Sequence, residues 1–490
     1  MAFKLRTPPK LTAKMSAFQY QLDAVRAIQD LPYAAIFHEQ GLGKTKIAID
    51  LALHWVVKDI VDTVFIITKK MLVQNWMYEL AQHSYLSPRI LSGNQRANNI
   101  ALNSPVLMYV MNYEIVSTNF DLLLSFLKTC RVGVFLDESQ KIKNPEAKLT
   151  QYFHKLADGF CRRVIMTGTP AANRPYDIWS QIKFLDGGES LGDSYADFKS
   201  KTDLPDKDAQ GNYGKELAGI MGRIASFTVR ETKKTSGLQL PDKTIITHYV
   251  QLEPVQKQIY ADYRNELQHE LQNLVIDNAD DILKRLLRLV QCASNPILID
   301  ELYDEVPGKF IKLLQILEDI VDDSTNVIIW SGFIKNVQWL HKQLYSYGPT
   351  MVHGSLSIEQ RNLAIEKFKM DQSCRILVAT PGSAKEGLTL TNANHAIFYD
   401  RSFSLDDYLQ AQDRIHRISQ EQECFVHNLI AEATIDEWVD SLLDAKYRAA
   451  QLAQGDISES EFSSSFNFEL SEILSIVLGD ERTHRGLENE

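Results

Sequence analysis

Cysteine is scarce in this sequence, and its few cysteines lie far apart. The 490 residues include five, and the closest two are separated by 31 positions. No C-x-x-C pair exists, which excludes a zinc knuckle or a zinc ribbon. Scattered single cysteines in a large chain are typical of a reducing compartment. The cysteine usage therefore predicts an intracellular protein.

Long hydrophobic runs are also absent. No apolar stretch reaches the roughly 18 residues from which a membrane-spanning helix is recognised. The N-terminal segment MAFKLRTPPKLTAKM contains no apolar core of a secretory signal. Both observations predict a soluble protein that stays inside the cell.

The sequence has no excess of positive charge. It contains 52 Lys and Arg against 63 Asp and Glu, for a formal net charge of −11. Taken alone, this argues against a protein that coats nucleic acid through bulk charge. However, residues 451–490 hold nine acids and two bases, so this tail carries −7 and the other 450 residues only −4. A nearly balanced body leaves room for a local basic track, and we expect the acidic tail to compete with nucleic acid for it.

Short apolar runs rich in β-branched residues alternate with longer helix-like stretches. Continuous apolar runs of this length suit strands that are buried on both faces, as in parallel sheets. The runs are 34–37, 64–67, 106–110, 132–136, 164–166, 327–330, 350–352, 375–379, 396–399 and 425–430. The alternation predicts an α/β fold with two doubly wound parallel-sheet lobes in tandem.

Changes in this pattern suggest four segments: a first lobe, a helical insertion and linker, a second lobe, and an acidic tail. Their predicted ranges are 1–185, 186–308, 309–446 and 447–490. The insertion is interpreted as helical because 253–274 and 282–291 both have helical character. In the tail, apolar residues at 470, 473, 474 and 477 follow helical spacing and predict one amphipathic helix.

The sequence HEQGLGKT at positions 38–45 is the strongest chemical motif. It follows the predicted strand 34–37 and precedes an apolar helical pattern. Gly41 and Gly43 let the backbone turn its N–H groups inward around phosphate oxygens. Lys44 offers a charge to the β- and γ-phosphates, and Thr45 offers a hydroxyl to Mg²⁺ at a helix N-terminus. The segment predicts a loop that binds ATP together with Mg²⁺.

An acidic pair follows another predicted strand about ninety residues further on. In the sequence VGVFLDE, Asp137 and Glu138 come directly after the run 132–136. Such a pair supplies the second half of an ATPase site. We expect Asp137 to hold Mg²⁺, mostly through water, and Glu138 to orient and polarise the attacking water.

Three motifs resemble those of superfamily-two helicases of the Swi/Snf type. DESQ at 137–140 with the following KIKN resembles the D-E-x-H box; TGTPAANRP at 167–175 resembles the T-G-T-P motif; and QAQDRIHRISQ at 410–420 resembles the last helicase motif. The A-x-x-R-P extension of the second is closest to the annealing-helicase branch. Weaker matches in the same order extend from about residue 18 to 446. The chain is identified as a member of this family, similar to its compact bacterial and phage members.

Three positions depart from the family pattern. Gln140 replaces the usual His of the D-E-x-H box, Ser419 replaces a Gly beside the last motif, and His38 replaces the Asp before the phosphate loop. A glutamine can still donate and accept hydrogen bonds. We therefore expect the coupling at Gln140 to be weakened or rewired and not lost.

The resemblance implies roles for further residues of the ATP site. Gln21 and Gly387 would help to bind ATP. Arg414 and Arg417 of the second lobe would stabilise charge on the γ-phosphate, and we expect them to project from one face of a helix because they are three apart. The coupling residues implied by the motifs are Gln140, Thr167, Gly168, Thr169 and Gln410.

The resemblance also implies that nucleic acid contacts both lobes, mainly through its phosphates. The candidates are basic or hydroxyl-bearing side chains in or beside the motifs. They are Lys69, Lys70, Lys141, Lys143, Ser331, Thr380, Lys385 and Thr389, with Thr167, Arg230 and Lys233 as further candidates. Backbone contacts carry no sequence information, so we expect little sequence specificity.

The function that this resemblance implies is that of an ATP-dependent translocase on mainly double-stranded DNA. It would act in DNA remodelling, replication-fork processing or repair, as a monomer in the cytoplasm of a bacterial or phage-infected cell. One alternative is an RNA-directed or strand-separating helicase. Another is an ATP-switched factor whose main contact is a protein partner, reached through the acidic tail.

Overall fold

The computed structural model describes residues 10–171, 173–203, 210–272, 279–322, 325–384 and 390–465. Their contacts divide the chain into two compact units. Lobe one comprises the described residues up to 203, residues 210–239 and residues 449–464. Lobe two comprises the described residues between 240 and 448. The four segment boundaries predicted from the sequence stay a prediction, because this division groups contacts and does not identify insertions.

Lobe one is built on a seven-stranded sheet with the order β3-β4-β2-β5-β6-β1-β7. Every strand pair in it is parallel. The strands are β1 (Tyr33–Ile36), β2 (Thr63–Thr68), β3 (Arg89–Ile90), β4 (Met108–Asn112), β5 (Val132–Asp137), β6 (Arg162–Met166) and β7 (Thr228–Val229). All six residues of β2 are buried, as expected for a central strand covered on both faces.

Ten helices of lobe one precede β8 in the described part of the chain. They are α1 (Gln19–Ile28), α2 (Lys44–Val57), α3 (Val73–His83), α4 (Gln95–Asn103), α5 (Tyr113–Thr118), α6 (Phe120–Leu127), α7 (Lys148–Leu156), α8 (Asp177–Asp186), α9 (Tyr195–Thr202) and α10 (Gln210–Ile224). The core on one face joins α1, α2 and α3 to the strands through side chains such as Trp55 and Trp76, each 1% exposed.

Lobe two is built on a six-stranded sheet with the order β10-β11-β9-β12-β13-β8, again with parallel pairs throughout. Its strands are β8 (Lys243–Val250), β9 (Val327–Trp330), β10 (Thr350–Val352), β11 (Ile376–Ala379), β12 (His395–Phe398) and β13 (Cys424–Ala431). Two buried clusters cover the two faces of this sheet. The predicted fold class is confirmed: two parallel-sheet lobes with flanking helices.

The helices that follow β8 belong to lobe two up to residue 448, which lies within α18. They are α11 (Pro254–Gln272), α12 (Ala279–Ser294), α13 (Gly308–Ile320), α14 (Ile334–Gln343), α15 (Ile358–Met370), α16 (Pro381–Ala384), α17 (Leu405–Gln412) and α18 (Ile435–Ala453). The last residues of α18, from 449 onward, and the helix α19 (Glu459–Ser465) up to residue 464 group with lobe one.

The segment predicted as a helical insertion is not wholly helical. It contains α11 and α12 close to their predicted positions, but it also contributes β7 to the sheet of lobe one and β8 to that of lobe two. Both strands lie at the edge of their sheet. Half of the residues of β8 are exposed. An exposed edge strand lacks the continuous apolar run by which the central strands are identified.

None of the helices among the described residues is both long and apolar enough to span a bilayer.

Candidate nucleotide-binding site in lobe one

The predicted phosphate loop connects β1 to α2. Gly41 and Gly43 both have positive φ, +86° and +69°, a conformation that favours glycine. Gly43 is the residue that precedes α2, and no side chain caps this helix N-terminus. Uncapped amides and the helix dipole together favour an anion at this position. The loop therefore has the chemistry that a phosphate group requires.

Lys44, Tyr20 and Gln21 hold this loop in shape. The Lys44 ammonium group donates hydrogen bonds to the carbonyl oxygens of His38 at 2.9 Å and Glu39 at 3.2 Å. The Tyr20 hydroxyl and the Gln21 amide donate to the Leu42 carbonyl at 3.1 and 3.2 Å. Gln21, predicted as an ATP-binding residue, thus lies directly against the loop.

The unusual His38 has its side chain in the interior. Only 2% of it is exposed, and its ring centre lies 6.1 Å from that of Tyr20. Burial, and then the charge of Lys44, lowers the pKa of His38 to about 4. A neutral imidazole therefore occupies the position directly before the phosphate loop.

Asp137 ends β5, and two side chains fix its carboxylate. The hydroxyl of Thr68 at 3.0 Å and the indole N–H of Trp76 at 2.7 Å both donate to Oδ2. Burial, and then the charge of Glu138, raises the pKa of Asp137 to about 6, against the opposing effect of the two hydrogen bonds and Lys44. Both donors bind the same oxygen, and this fixes the orientation of the carboxylate.

Glu138 follows in a strained backbone conformation. Its φ of +55° and ψ of +52° lie in the left-handed region, which costs a residue other than glycine roughly 1–3 kcal/mol. The Gln140 side-chain amide donates to Oε2 of Glu138, and the Lys69 ammonium group lies 3.8 Å from the same oxygen. Strain of this kind is characteristic of functional sites. Gln140, the residue that replaces His, thus acts directly on Glu138.

The segment 167–169 follows β6 and closes the site from another side. The Thr169 amide donates to the Thr167 hydroxyl at 3.1 Å, and the Thr167 amide donates to the Ile36 carbonyl at the end of β1. A Cβ at Gly168 would lie 2.8 Å from the side chain of Gln40 and 3.0 Å from the backbone nitrogen of Gln40. Gly168 therefore lets this segment pack against the phosphate loop.

These residues fit ATP with Mg²⁺ by the chemistry of their donors and acceptors. Thr45 and Asp137 offer oxygen atoms, and within the described ranges no group of three or more His, Cys, Asp or Glu side chains could hold a metal alone. Mg²⁺ is typically bound by one or two protein oxygens together with substrate phosphates and water. The site thus suits a magnesium ion that arrives with its nucleotide.

The lobe-two candidates have a different local structure from the one expected. Helix α17 ends at Gln412, so the expectation that Arg414 and Arg417 project from one helical face is wrong. They lie in the turns that follow, where the Arg414 carbonyl accepts a hydrogen bond from Leu390 and the His416 ring contacts the Pro241 carbonyl at 2.9 Å. These tertiary contacts override the helical spacing.

Gln410 is buried in α17, and its amide donates to Asp406 at 2.8 Å. The candidates Gly387, Lys385 and Thr389 lie outside the described residues.

Most of the candidate nucleic-acid residues already have partners within their own lobe. Acidic groups contact the ammonium groups of Lys141 (Glu114, 3.4 Å), Lys143 (Asp177, 2.7 Å) and Lys233 (Glu39, 3.8 Å), and the guanidinium group of Arg230 (Asp456). Lys70 is exposed.

The candidate hydroxyl groups of Ser331 and Thr380 are buried, as is that of Thr167. Ser331 donates to Asp400 at 2.7 Å and Thr380 to Ser383 at 2.7 Å. They support the ends of β9 and β11, and direct contact with nucleic acid would require these bonds to change.

Thr68, Trp76 and Tyr20 are functional candidates that the prediction from sequence assigned only to weak motif matches. Their spacing gives no sign that Tyr20 contacts the phosphate loop or that Thr68 and Trp76 contact Asp137. Only the parallel pairing of β2 with β5 brings Thr68 beside Asp137.

A phosphate loop and an acidic pair at the carboxyl edge of one parallel sheet define a P-loop nucleotide-binding protein. The family follows from two models: the SNF2-related domain matches residues 29–298, and the helicase conserved C-terminal domain matches residues 308–419. The first alone covers more than half of the sequence. The chain belongs to the SNF2 family of nucleic-acid-dependent ATPases, and the predicted resemblance is confirmed.

Curated relatives extend over most of this chain. An uncharacterized ATP-dependent helicase of Mycoplasma pneumoniae is 27% identical over 88% of this chain and 41% of its own length. The putative ATP-dependent helicase/translocase YwqA of Bacillus subtilis is 28% identical over 84% of this chain and 45% of its own length. The chain thus spans less than half the length of these relatives.

Among solved structures, the SWI2/SNF2 ATPase core of Sulfolobus solfataricus in complex with dsDNA is 26% identical. The alignment covers 97% of this chain and 99% of that one, with a TM-score of 0.42.

Proposed function

We propose that this chain is an ATP-driven translocase that moves on nucleic acid, mainly double-stranded DNA, without extensive strand separation. The observation that carries the proposal is the assembly in lobe one of the phosphate loop, the pair Asp137–Glu138 and the segment 167–169, in a chain of the SNF2 family. The translocase named among the bacterial relatives supports movement as the outcome of hydrolysis.

Phosphoryl transfer depends mostly on positioning and charge stabilisation. Lys44 binds the β- and γ-phosphates together with the amides at the start of α2. Thr45 and Asp137 hold Mg²⁺, which supplies neutralising charge for the phosphate oxygens. Glu138 accepts a hydrogen bond from the attacking water and polarises it. Gly41, Gly43 and Gln21 maintain the loop in its binding shape.

Lobe two contributes the arginines that the last helicase motif implies. Arg414 and Arg417 stabilise charge on the transferred phosphoryl group, an effect worth roughly 10³–10⁵ in rate for an inserted arginine. Coupling to movement involves Gln140, Thr167, Gly168, Thr169 and Gln410. A monomer in the cytoplasm of a bacterial or phage-infected cell is the proposed setting, and the bacterial source of two relatives supports the bacterial part of it.

The decisive experiment compares steady-state ATPase rates with duplex DNA, single-stranded DNA and RNA. We expect the highest rate with duplex DNA, and a loss of about a hundredfold or more in Lys44→Ala, which removes a charged donor to the phosphates. A highest rate with RNA would replace the proposal by an RNA-directed helicase. Full biological activity of the Lys44→Ala protein would favour the ATP-switched interaction factor.

A further inference from the structure

The segment 68–76 extends from the last residue of β2 into the first turn of α3 and contacts both acidic residues of the ATP site. Thr68 and Trp76, at its two ends, donate to Asp137 at 3.0 and 2.7 Å. Lys69, between them, lies 3.8 Å from Glu138. The same segment contains two lysines that are candidates for binding nucleic acid. One short stretch of chain therefore joins a predicted nucleic-acid contact to both carboxylates.

Both ends of this segment are firmly anchored. Trp76 is 1% exposed and packs in the core of lobe one beside Leu72 and Leu80. The Thr68 side chain is fully buried, and the Leu72 amide donates to the Lys69 carbonyl at 2.9 Å in a short 3₁₀ turn. The backbone at Lys69 is thus fixed, and its long side chain is the part that can change partner.

The ion pair between Lys69 and Glu138 is partly buried and still accessible to solvent. The two side chains are 20% and 13% exposed. A charge pair at this depth is screened less than one on the open surface, yet the ammonium group can still reach a phosphate from solvent. A phosphate oxygen and the Glu138 carboxylate compete for the same cation, because both are anions that lysine binds as a point charge.

Glu138 is the residue for which this competition matters. Its proposed role is to accept a hydrogen bond from the attacking water, and a carboxylate held by an ammonium group accepts less strongly. Its left-handed backbone and the bond from Gln140 show that its orientation is set by neighbours. Release of one neighbour therefore changes what the carboxylate can do.

We propose that Lys69 is a positioning residue that restrains Glu138 while lobe one is free of nucleic acid and exchanges it for a nucleic-acid phosphate on binding. Thr68 and Trp76 keep Asp137 in place during the exchange. The inference rests on the proposed function, since it requires an ATPase that nucleic acid stimulates. To that function the inference adds the group in lobe one that responds to a nucleic-acid phosphate, the ammonium group of Lys69.

The test uses the full chain with Lys69→Gln and the conservative Lys69→Arg. The ATPase rate without nucleic acid and the rate with saturating random-sequence duplex DNA are measured for each. We expect Lys69→Gln to raise the rate without DNA by about fivefold, the equilibrium factor of an ion pair at the upper end of the surface range. The stimulation by DNA falls by the same factor, and Lys69→Arg retains both wild-type values.

Two further measurements separate this role from others. Binding of a fluorescent ATP analogue should be unchanged in Lys69→Gln, and thermal melting should confirm that the variant is folded. The charge-matched control is Lys128→Gln, at the exposed end of α6, and it should match the wild type in every assay.

An unchanged rate without DNA, with weaker DNA binding alone, would overturn the inference and leave Lys69 a simple phosphate contact. A lowered rate without DNA would overturn it as well, because Lys69 would then assist Glu138. A wild-type chain without any Lys44-dependent ATPase would instead refute the proposed function.

Discussion

At the scale of single residues, the site depends on close approaches that only certain side chains permit. Gly168 lies against the backbone and side chain of Gln40, at distances that a Cβ atom could occupy only if the phosphate loop shifted. The segment 167–169 and the phosphate loop are thus in direct mechanical contact. A change at one is transmitted to the other without an intermediate.

Gly168→Ala should therefore weaken ATP binding. The added methyl group displaces Gln40 and the loop, at a cost of about 1–3 kcal/mol if the site cannot relax. We expect the KM for ATP to rise by roughly tenfold, the equivalent of 1.4 kcal/mol, as measured by steady-state ATPase assays. Gly93→Ala is the matched control, since nothing lies within 4 Å of a Cβ there. An unchanged KM in Gly168→Ala would show that the loop yields freely.

The sequence predicted the phosphate loop and the acidic pair better than it predicted the side chains that hold them in place. HEQGLGKT and the pair Asp137–Glu138 carry enough local information to be placed at strand ends, because their neighbours are apolar runs. The hydrogen bonds from Thr68 and Trp76 to Asp137 depend on the pairing of two strands whose partner residues are 69 positions apart in sequence. No local pattern encodes such a pairing, so these supports required the structure.

At the scale of secondary structure, adjacent strands of lobe two carry three histidines in contact. His427 on β13 lies 3.0 Å from His248 on β8 and 3.1 Å from His395 on β12, measured between ring nitrogens. The rings are nearly parallel, with centres 5.3 Å apart in both pairs. Neutral imidazoles can form such a chain by each donating one N–H, whereas protonated ones would repel.

The pKa values of these three histidines follow from their surroundings. Burial, and then the two neighbouring rings, lowers the pKa of His427 to about 3. Burial lowers the pKa of His248, helped by Lys312, and that of His395, opposed by Asp322. In the folded lobe each of the three histidines therefore has a pKa below the ordinary value of 6.5.

Lobe two should accordingly lose stability in mild acid. Below pH 6.5 the unfolded chain binds protons that the folded lobe does not, so the free energy of unfolding falls as the pH drops from about 6.5 towards 3. The slope is at most about 1.4 kcal/mol per pH unit for each histidine. Urea unfolding at pH 7 and pH 5, followed in lobe two, measures it.

His427→Gln should reduce this pH dependence, because it removes the ring that contacts both others. The exposed His269 on α11 provides the control variant, His269→Gln, which should keep the wild-type difference. An equal pH dependence in His427→Gln and the wild type would refute the explanation.

The elements that the sequence missed share a physical reason. The central strands are mainly apolar, and the predicted runs end within two residues of the observed strand ends. The strand β8, TIITHY with its flanks, alternates between exposed and less exposed positions at a sheet edge, and β3 and β7 have two residues each. Arg414 and Arg417 show the opposite kind of error. Their spacing predicted a helix, but α17 ends at Gln412.

At the scale of the whole molecule, the C-terminal region divides between a docked segment and the tail beyond it. Residues 449–464 group with lobe one. Phe462 is 1% exposed, with its ring 6.1 Å from that of Tyr213. Asp456 binds Arg230, which also donates to the Phe37 carbonyl at the start of the phosphate loop. Removal of everything after 450 would therefore damage lobe one as well as remove charge.

Deletion of residues 466–490 alone is the better test of the acidic tail. This stretch holds six acids and two bases, a net charge of −4, while the docked segment stays intact. If the tail competes with nucleic acid for a basic track, the shortened chain should bind duplex DNA more tightly at low salt. We expect an increase of several-fold that disappears at about 1 M salt, where the Debye length falls to about 3 Å.

The measurement is a fluorescence titration of labelled duplex DNA at two salt concentrations. A chain of full length in which the six acids are changed to Asn and Gln is the matched control, since it keeps the length and removes only the charge. Equal tightening in both variants assigns the effect to electrostatic competition. Tightening in the deletion alone would assign it to excluded volume, and unchanged affinity in both would remove the tail from the control of nucleic-acid binding.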